Sequence, residues 1–151
     1  MALSLRLALI SALVPHGARV CDIGTDHGYL PIELIKRGDI KSVIATDIRE
    51  KPLANAEKNI KAACVGGITL RLCDGLEGIA QAEVDTIITA GMGGEVIASI
   101  LARSPLPTAA PAPLLIMQPT TSPEILRRFL CENGFEIISD TALCENAKLY
   151  S

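Results

Sequence analysis

Six short β-rich runs set the frame of this chain: ARVCDI (18–23), SVIATDI (42–48), ITLRLC (68–73), VDTIITA (84–90), LLIMQ (114–118) and FEIISDTALC (135–144). Around them lie segments of helical pattern, over 3–13, 29–36, 50–63, 95–102 and 122–132. The central runs are apolar on both faces, and helices packed above and below a parallel sheet cover strands of that kind. The punctuation agrees. Pro15 and Gly17 end the first helix, Pro31 falls in the first turn of the second, where a missing amide costs little, and Asn133-Gly134 stops the last. A barrel of such units needs eight strands and roughly 250 residues, which exceeds the 151 present. The expected architecture is one α/β domain over residues 1–151, an open, mostly parallel sheet flanked by helices. The closing AKLYS (147–151) reads as the start of another extended segment.

No apolar run approaches the ~20 residues that cross a bilayer. The stretch LSLRLALISALVP (3–15) is apolar, yet it has one basic position, no small-residue cleavage pattern and the leucine spacing of a packed helix, so it is expected to belong to the fold. Cys21, Cys64, Cys73, Cys131 and Cys144 form an odd set without a CxxC pair, mostly inside apolar segments, and read as small buried hydrophobes in a reducing cytoplasm. The formal charge of −3 hides an asymmetry: ten basic against eight acidic groups in residues 1–75, four against nine in 76–151. That balance, with Tyr29, Phe129, Phe135 and Tyr150 as the only aromatic residues, supplies neither the clustered cations nor the stacking platforms of a free-standing nucleic-acid binder.

Open α/β sheets bind ligands beyond the carboxyl ends of their strands, so the residues after each run carry the functional information. After the first comes DIGTDHGYLP (22–31), where Gly24 and Gly28 permit close backbone approach before a helix N-terminus. A dinucleotide fingerprint would require glycine where this chain has Asp26. A carboxylate there repels a pyrophosphate and favours a ligand with a cationic or neutral polar end, such as S-adenosylmethionine; the plainer alternative is an aspartate that caps the helix. His27 can orient a substrate or cofactor, or make a structural hydrogen bond. The second run ends in Thr46-Asp47-Ile48, and an acid there accepts ribose hydroxyls of NAD and S-adenosylmethionine alike. The third ends in Asp74-Gly75, either a plain turn or an acceptor for the exocyclic amine of a cofactor adenine. After the fourth, Gly91-Met92-Gly93-Gly94 suggests backbone lying against a ligand, with free helix amides facing the cleft and Met92 either lining it or filling the core. The fifth delivers Gln118-Pro119-Thr120, in which the amide of Gln118 can meet a base edge and Pro119 fixes the chain, with Thr121 or Ser122 able to cap the next helix. No Cys/His cluster has metal-ligand spacing, and GxSxG, GxxxxGK and HExxH are absent.

The combination DIGTDHGYLP, TDI, DG, AGMGG and MQPT resembles the bacterial tRNA adenine-N1 methyltransferases that modify adenine 22, over essentially residues 3–151. The resemblance implies a Rossmann-like class I methyltransferase fold. It implies S-adenosyl-L-methionine as cofactor, held by Asp22, Gly24, Asp26, His27, Gly28, Asp47, Ile48, Asp74, Gly75, Gly91 and Met92. It also implies tRNA as partner, with the substrate adenine near His27, Gly93, Gly94, Gln118, Pro119 and Thr120. Family members often carry asparagine where this sequence has Thr120, so no amide is available there to hold the base. They continue into a largely helical C-terminal extension that grips tRNA, and a chain without it is expected to bind tRNA weakly. N1 of adenine already bears a lone pair, so the expected catalysis is base placement and accommodation of developing positive charge, with Asp26 or Asp22 supplying negative field and Gln118 positioning the base. The alternatives are a methyltransferase for another RNA or a small molecule, a nicotinamide enzyme disfavoured by Asp26, and a noncatalytic cofactor-binding module.

Overall fold

A computed structural model describes residues 3–150, with the backbone alone for Tyr150. The elements run α1 (Leu5–Leu13), β1 (Arg19–Ile23), α2 (Tyr29–Lys36), β2 (Ser42–Asp47), α3 (Glu50–Ala63), β3 (Ile68–Leu72), β4 (Thr86–Met92), α4 (Gly94–Ala102), β5 (Leu114–Pro119), α5 (Pro123–Glu132), β6 (Leu143–Glu145) and β7 (Lys148–Tyr150). Five strands form one wholly parallel sheet in the order β3-β2-β1-β4-β5. The chain thus winds outward from β1 in one direction and, after crossing to β4, in the other. The crevice where the winding reverses lies at the carboxyl ends of β1 and β4.

Alternation along β1 divides the core in two. Val20 faces Ile10, Val14, Leu30 and Leu34 from α1 and α2, with Val43 and Ile88 beside it. Cys21 and Ile23 face the opposite layer, with Ile44, Ile87, Leu76, Ile79 and Ile100. A third cluster joins Ile97 and Leu101 of α4 to Leu126 and Leu130 of α5. Ser4 caps α1 by accepting from the Leu7 amide at 3.3 Å. Among the described residues no helix is long and apolar enough to cross a membrane.

Two sequence expectations need correction. The strand expected over 135–144 does not form: residues 135–142 are irregular, and only Leu143–Glu145 pair, antiparallel, with β7. Phe135 instead turns back onto Phe129, with ring centroids 6.2 Å apart, and Arg127 of α5 holds Asp140 at 2.8 Å. The segment is therefore tied to α5 rather than to the open edge of β5, which leaves Ile138 77% exposed. Ser151, the end of the expected last extended segment, lies outside the described residues. The cysteines also differ, because Cys21 is buried and Cys73 partly so, whereas Cys64, Cys131 and Cys144 are exposed. Cys64 caps α3 in the left-handed conformation, and Cys131 falls on the face of α5 opposite Leu126 and Leu130.

Leu34 is fully buried between α2 and the sheet. Leu34→Ala should lower the free energy of urea unfolding by ~2–5 kcal/mol, whereas Ile138→Ala should change it by no more than ~0.5 kcal/mol.

Candidate functional site

The strand ends meet in one cleft of about 1190 Å³. It brings together Asp22, Gly24, Asp26 and His27 at the end of β1 and beyond it, Asp47 and Ile48 at the end of β2, Asp74 and Gly75 after β3, and Gly91 and Met92 at the end of β4. Parallel register explains the convergence. Ile23 lies opposite Thr46 and Thr89, and Asp47 opposite Leu72, so the chain leaves β1, β2 and β3 at nearly the same height, while β4 runs on to Met92 beside them. Of the residues expected from the sequence, Gly28, Gly93, Gly94, Gln118, Pro119 and Thr120 do not line the cleft.

The loop after β1 is held on three sides. The amides of Gly24 and Thr25 both donate to the Thr46 carbonyl, at 2.8 and 2.9 Å, and that of Gly28 donates to Thr25 at 3.0 Å. The Asn59 side chain of α3 donates to the His27 carbonyl at 2.9 Å. Asp26 adopts φ 53°, the left-handed conformation in which glycine is usual, so the loop keeps a glycine-like path while presenting a carboxylate. It does not cap α2. The N-cap is Gly28, which receives no side-chain bond and packs where a Cβ would lie 3.1 Å from that of Ala56. Asp26 pairs instead with His27 Nε2 at 3.4 Å, both side chains about half exposed. The His27 ring stacks on Tyr29 with centroids 5.4 Å apart.

The acids at the strand ends sit in different environments. Asp22 is 4% exposed, and burial pushes its carboxyl up to about 6, with the charge of Asp47 acting in the same direction. Asp47 is equally buried, and its Oδ1 accepts from the Arg49 amide at 3.0 Å. Asp74 is half-buried, and the hydrogen-bonded Arg103 guanidinium holds its carboxyl below the ordinary aspartate value.

Gly93 and Gly94 are packed tightly against the loop after β5. A Cβ on Gly94 would stand 2.2 Å from the Ser122 carbonyl oxygen, and one on Gly93 2.9 Å from Thr121 Oγ1. The Gly94 amide donates to Thr121 O at 2.8 Å, and the Thr120 amide to Met92 O at 2.8 Å. Gly93 and Gly94 thus stand outside the cleft lining, where the β4–α4 turn closely approaches the β5–α5 loop. Gln118 is likewise committed within the protein. Its Oε1 accepts from Arg6 at 2.7 Å and from the Gly91 amide at 3.2 Å, and its Nε2 donates to Pro119 O at 2.8 Å. It is 7% exposed and acts on the cleft through Arg6 and Gly91, both of which line it. Ser122 stands at the N-cap of α5 in the left-handed conformation without a capping bond.

Arg6, Arg49 and Arg103 also line the cleft, beyond the residues expected from the sequence. The signal for Arg6 was a lone cation inside an apolar helix. No local signal marks Arg49 or Arg103, which meet Asp47 and Asp74 only through the folding of β2 and the end of α4 beside those acids. Among the described residues no cluster of three or more His, Cys, Asp or Glu side chains forms a metal site.

Residues 3–151 match the family described as "Methyltransferase domain". A tRNA (adenine(22)-N(1))-methyltransferase of Bacillus subtilis is 34% identical over 98% of this chain, which spans 62% of that relative's length. A crystal structure of Streptococcus pneumoniae Sp1610, described as a putative tRNA (m1A22) methyltransferase, superposes with a TM-score of 0.91 and 41% identity, over 99% of this chain and 68% of that one. The same protein in complex with S-adenosyl-L-methionine gives a TM-score of 0.88 and 40% identity, over 99% and 70% of the two chains.

Two outcomes follow from the geometry. Because the carboxyl of Asp22 is raised above its unfolded value, its contribution is complete below pH ~4 and is lost as pH rises through about 6. Asp22→Asn should therefore stabilise the protein at pH 7.5 by on the order of 3 kcal/mol and change little at pH 4, as read from unfolding at the two pH values. Gly94→Ala should destabilise by ~1–3 kcal/mol at either pH, since the loop carbonyl must move to admit a methyl group.

Proposed function

Because the chain belongs to the methyltransferase-domain family and, within it, to the family of the tRNA (adenine(22)-N(1))-methyltransferases, we propose that its cleft binds S-adenosyl-L-methionine and serves methyl transfer to N1 of adenine 22 in tRNA, in a bacterial cytoplasm. The observation that carries the proposal is the gathering of Asp22, Asp47 and Asp74 from three successive strand ends into one cleft. The donor set fits the cofactor chemically. The buried acid at β1 suits an amino group, the acid at β2 a ribose diol, and the acid at β3 an exocyclic amine. Three carboxylates with Asp26 beside them would repel a dinucleotide pyrophosphate.

When bound, the cofactor supplies an electrophilic methyl group. The protein's part is placement and charge. Gln118 ties the β4 turn to α1 by accepting from Gly91 and Arg6 together, so the walls on either side of the acceptor end of the cleft move as a unit. The exposed carboxylate of Asp26, on its left-handed backbone, offers negative field where positive charge appears on the methylated base. No proton needs to leave N1, so a general base is not required. Arg6 and Arg49 add cations at the mouth, suited to the phosphates flanking a target base. The acidic balance of the second half of the chain supports a weak grip on tRNA by these residues alone.

Single-turnover methylation of unmodified tRNA, with the modified nucleotide mapped, tests the reaction. Gln118→Ala should slow it on the order of 10²-fold through misplacement of the turn and of Arg6. Unchanged rates in both Gln118→Ala and Asp26→Asn would remove those two assignments, and methylation elsewhere than adenine 22 would replace the acceptor. Affinity for S-adenosylhomocysteine, measured by calorimetry, should fall about tenfold per pH unit below about 6 as Asp22 takes up its proton.

A further inference from the structure

Asp74 does not face the cleft as a free carboxylate. Its Oδ2 accepts from Arg103 Nη1 and its Oδ1 from Arg103 Nη2, both at 2.9 Å, in a two-point fork. Arg103 is itself anchored at the end of α4. Its Nε donates to the Ser99 carbonyl at 3.3 Å, and its backbone amide bonds back to Ser99 and Leu101. The backbone of the acid is fixed independently. Gly75, at φ 60°, lies so close to α4 that a Cβ there would stand 2.9 Å from Ile100 Cγ2. With the main chain pinned, rotation of the carboxylate is the freedom that remains, and the guanidinium removes it.

The pair separates two spaces. Asp74, Ile100 and Arg103 line the large cleft and also an adjoining cavity of about 420 Å³ walled by Leu76, Ile79 and Leu106. Both partners are substantially exposed, at 39% and 46%, so an ion pair of this kind contributes little to stability. Its geometric effect is larger. An ionised carboxylate only accepts, through about four lone-pair sites. The fork occupies one on each oxygen and leaves the rest in fixed directions.

We propose that Arg103 is a positioning residue for nucleobase selection, holding the Asp74 carboxylate so that it accepts from the 6-amino group of a purine and rejects a 6-oxo group. This rests on the reading that the adenosine end of the cofactor lies at Asp74. A 6-oxo purine presents an acceptor where adenine presents a donor, and its own donor, N1–H, lies one ring position away. A carboxylate free to turn can follow that donor, whereas one held by the fork cannot. Selectivity against the 6-oxo base is thus a property of the pair, not of Asp74 alone.

The test is calorimetric titration of S-adenosylhomocysteine and of its 6-oxo counterpart, S-inosylhomocysteine, into the unaltered chain, R103A and R103K, with melting curves alongside. The unaltered chain should prefer the adenosine ligand by roughly ten- to a hundredfold, the value of a hydrogen bond to a charged group. In R103A the preference should shrink to about threefold or less while the melting temperature holds, because an exposed pair is lost. R103K keeps the charge without the planar fork and should lose most of the preference too, and it serves as the reporting variant if R103A does not fold. Full preference retained in either folded variant, or no preference in the unaltered chain, overturns the inference alone. Failure of the unaltered chain to bind either ligand overturns the cofactor reading and the inference with it.

Discussion

Every strand of the central sheet runs in the same direction, and the residue-by-residue register from β3 through β2, β1 and β4 to β5 delivers the strand ends to one edge. Parallel pairing forces each return crossing to run back over a face of the sheet, so every crossing begins with a short loop at the carboxyl-end edge, where the cleft lies. The whole site depends on this arrangement. Asp22, Asp47 and Asp74 are separated by 25 and 27 positions in sequence yet line the same cleft, because each stands at or just past the carboxyl end of a strand of five or six residues in a common register.

That convergence creates an electrostatic difficulty, which the protein meets differently at each end. At β1 the carboxylate of Asp22 is buried, and its charge is disfavoured by loss of solvent and by Asp47. At β3 the carboxylate of Asp74 is kept charged by Arg103. One acid therefore carries its charge at a cost that a cationic neighbour would offset, and the other is ionised readily beside its guanidinium. Native stability is held down at the first position, because a carboxylate ionises less readily inside the fold than in water.

The five strands of the sheet, the helices and the three acids at strand ends were legible in the sequence because each rests on local pattern: apolar runs, capping residues and an aspartate at or just past the end of a run. Pro31 in the first turn of α2 and the αL glycines at 24 and 28 belong to the same class. Long-range relations were less legible. FEIISD has the composition of a strand, yet Phe129 and Arg127 of α5 hold it away from the β5 edge. Cys131 sits in an apolar context and still faces solvent, since α5 buries only Leu126 and Leu130 among its residues. The partners of Gln118 and Asp74 lie 112 and 29 positions away, and no local pattern encodes such distances.

The glycines show most plainly how one signal carries two meanings. Gly24 and Gly91, with φ 73° and 78°, lie in the cleft wall, where their missing side chains leave room beside Met92 and Arg6. Gly93 and Gly94 have the same identity and adjoin the same turn, but their bareness is required by the chain itself, which brings Thr121 and Ser122 against them. The close approach is not incidental to the site. By fixing the β4 turn to the loop after β5, it sets where Gln118 meets the Gly91 amide, and through Gln118 where Arg6 enters the cleft. Packing glycines therefore shape one wall of the cleft as surely as the acids shape the other, though they do not themselves line it.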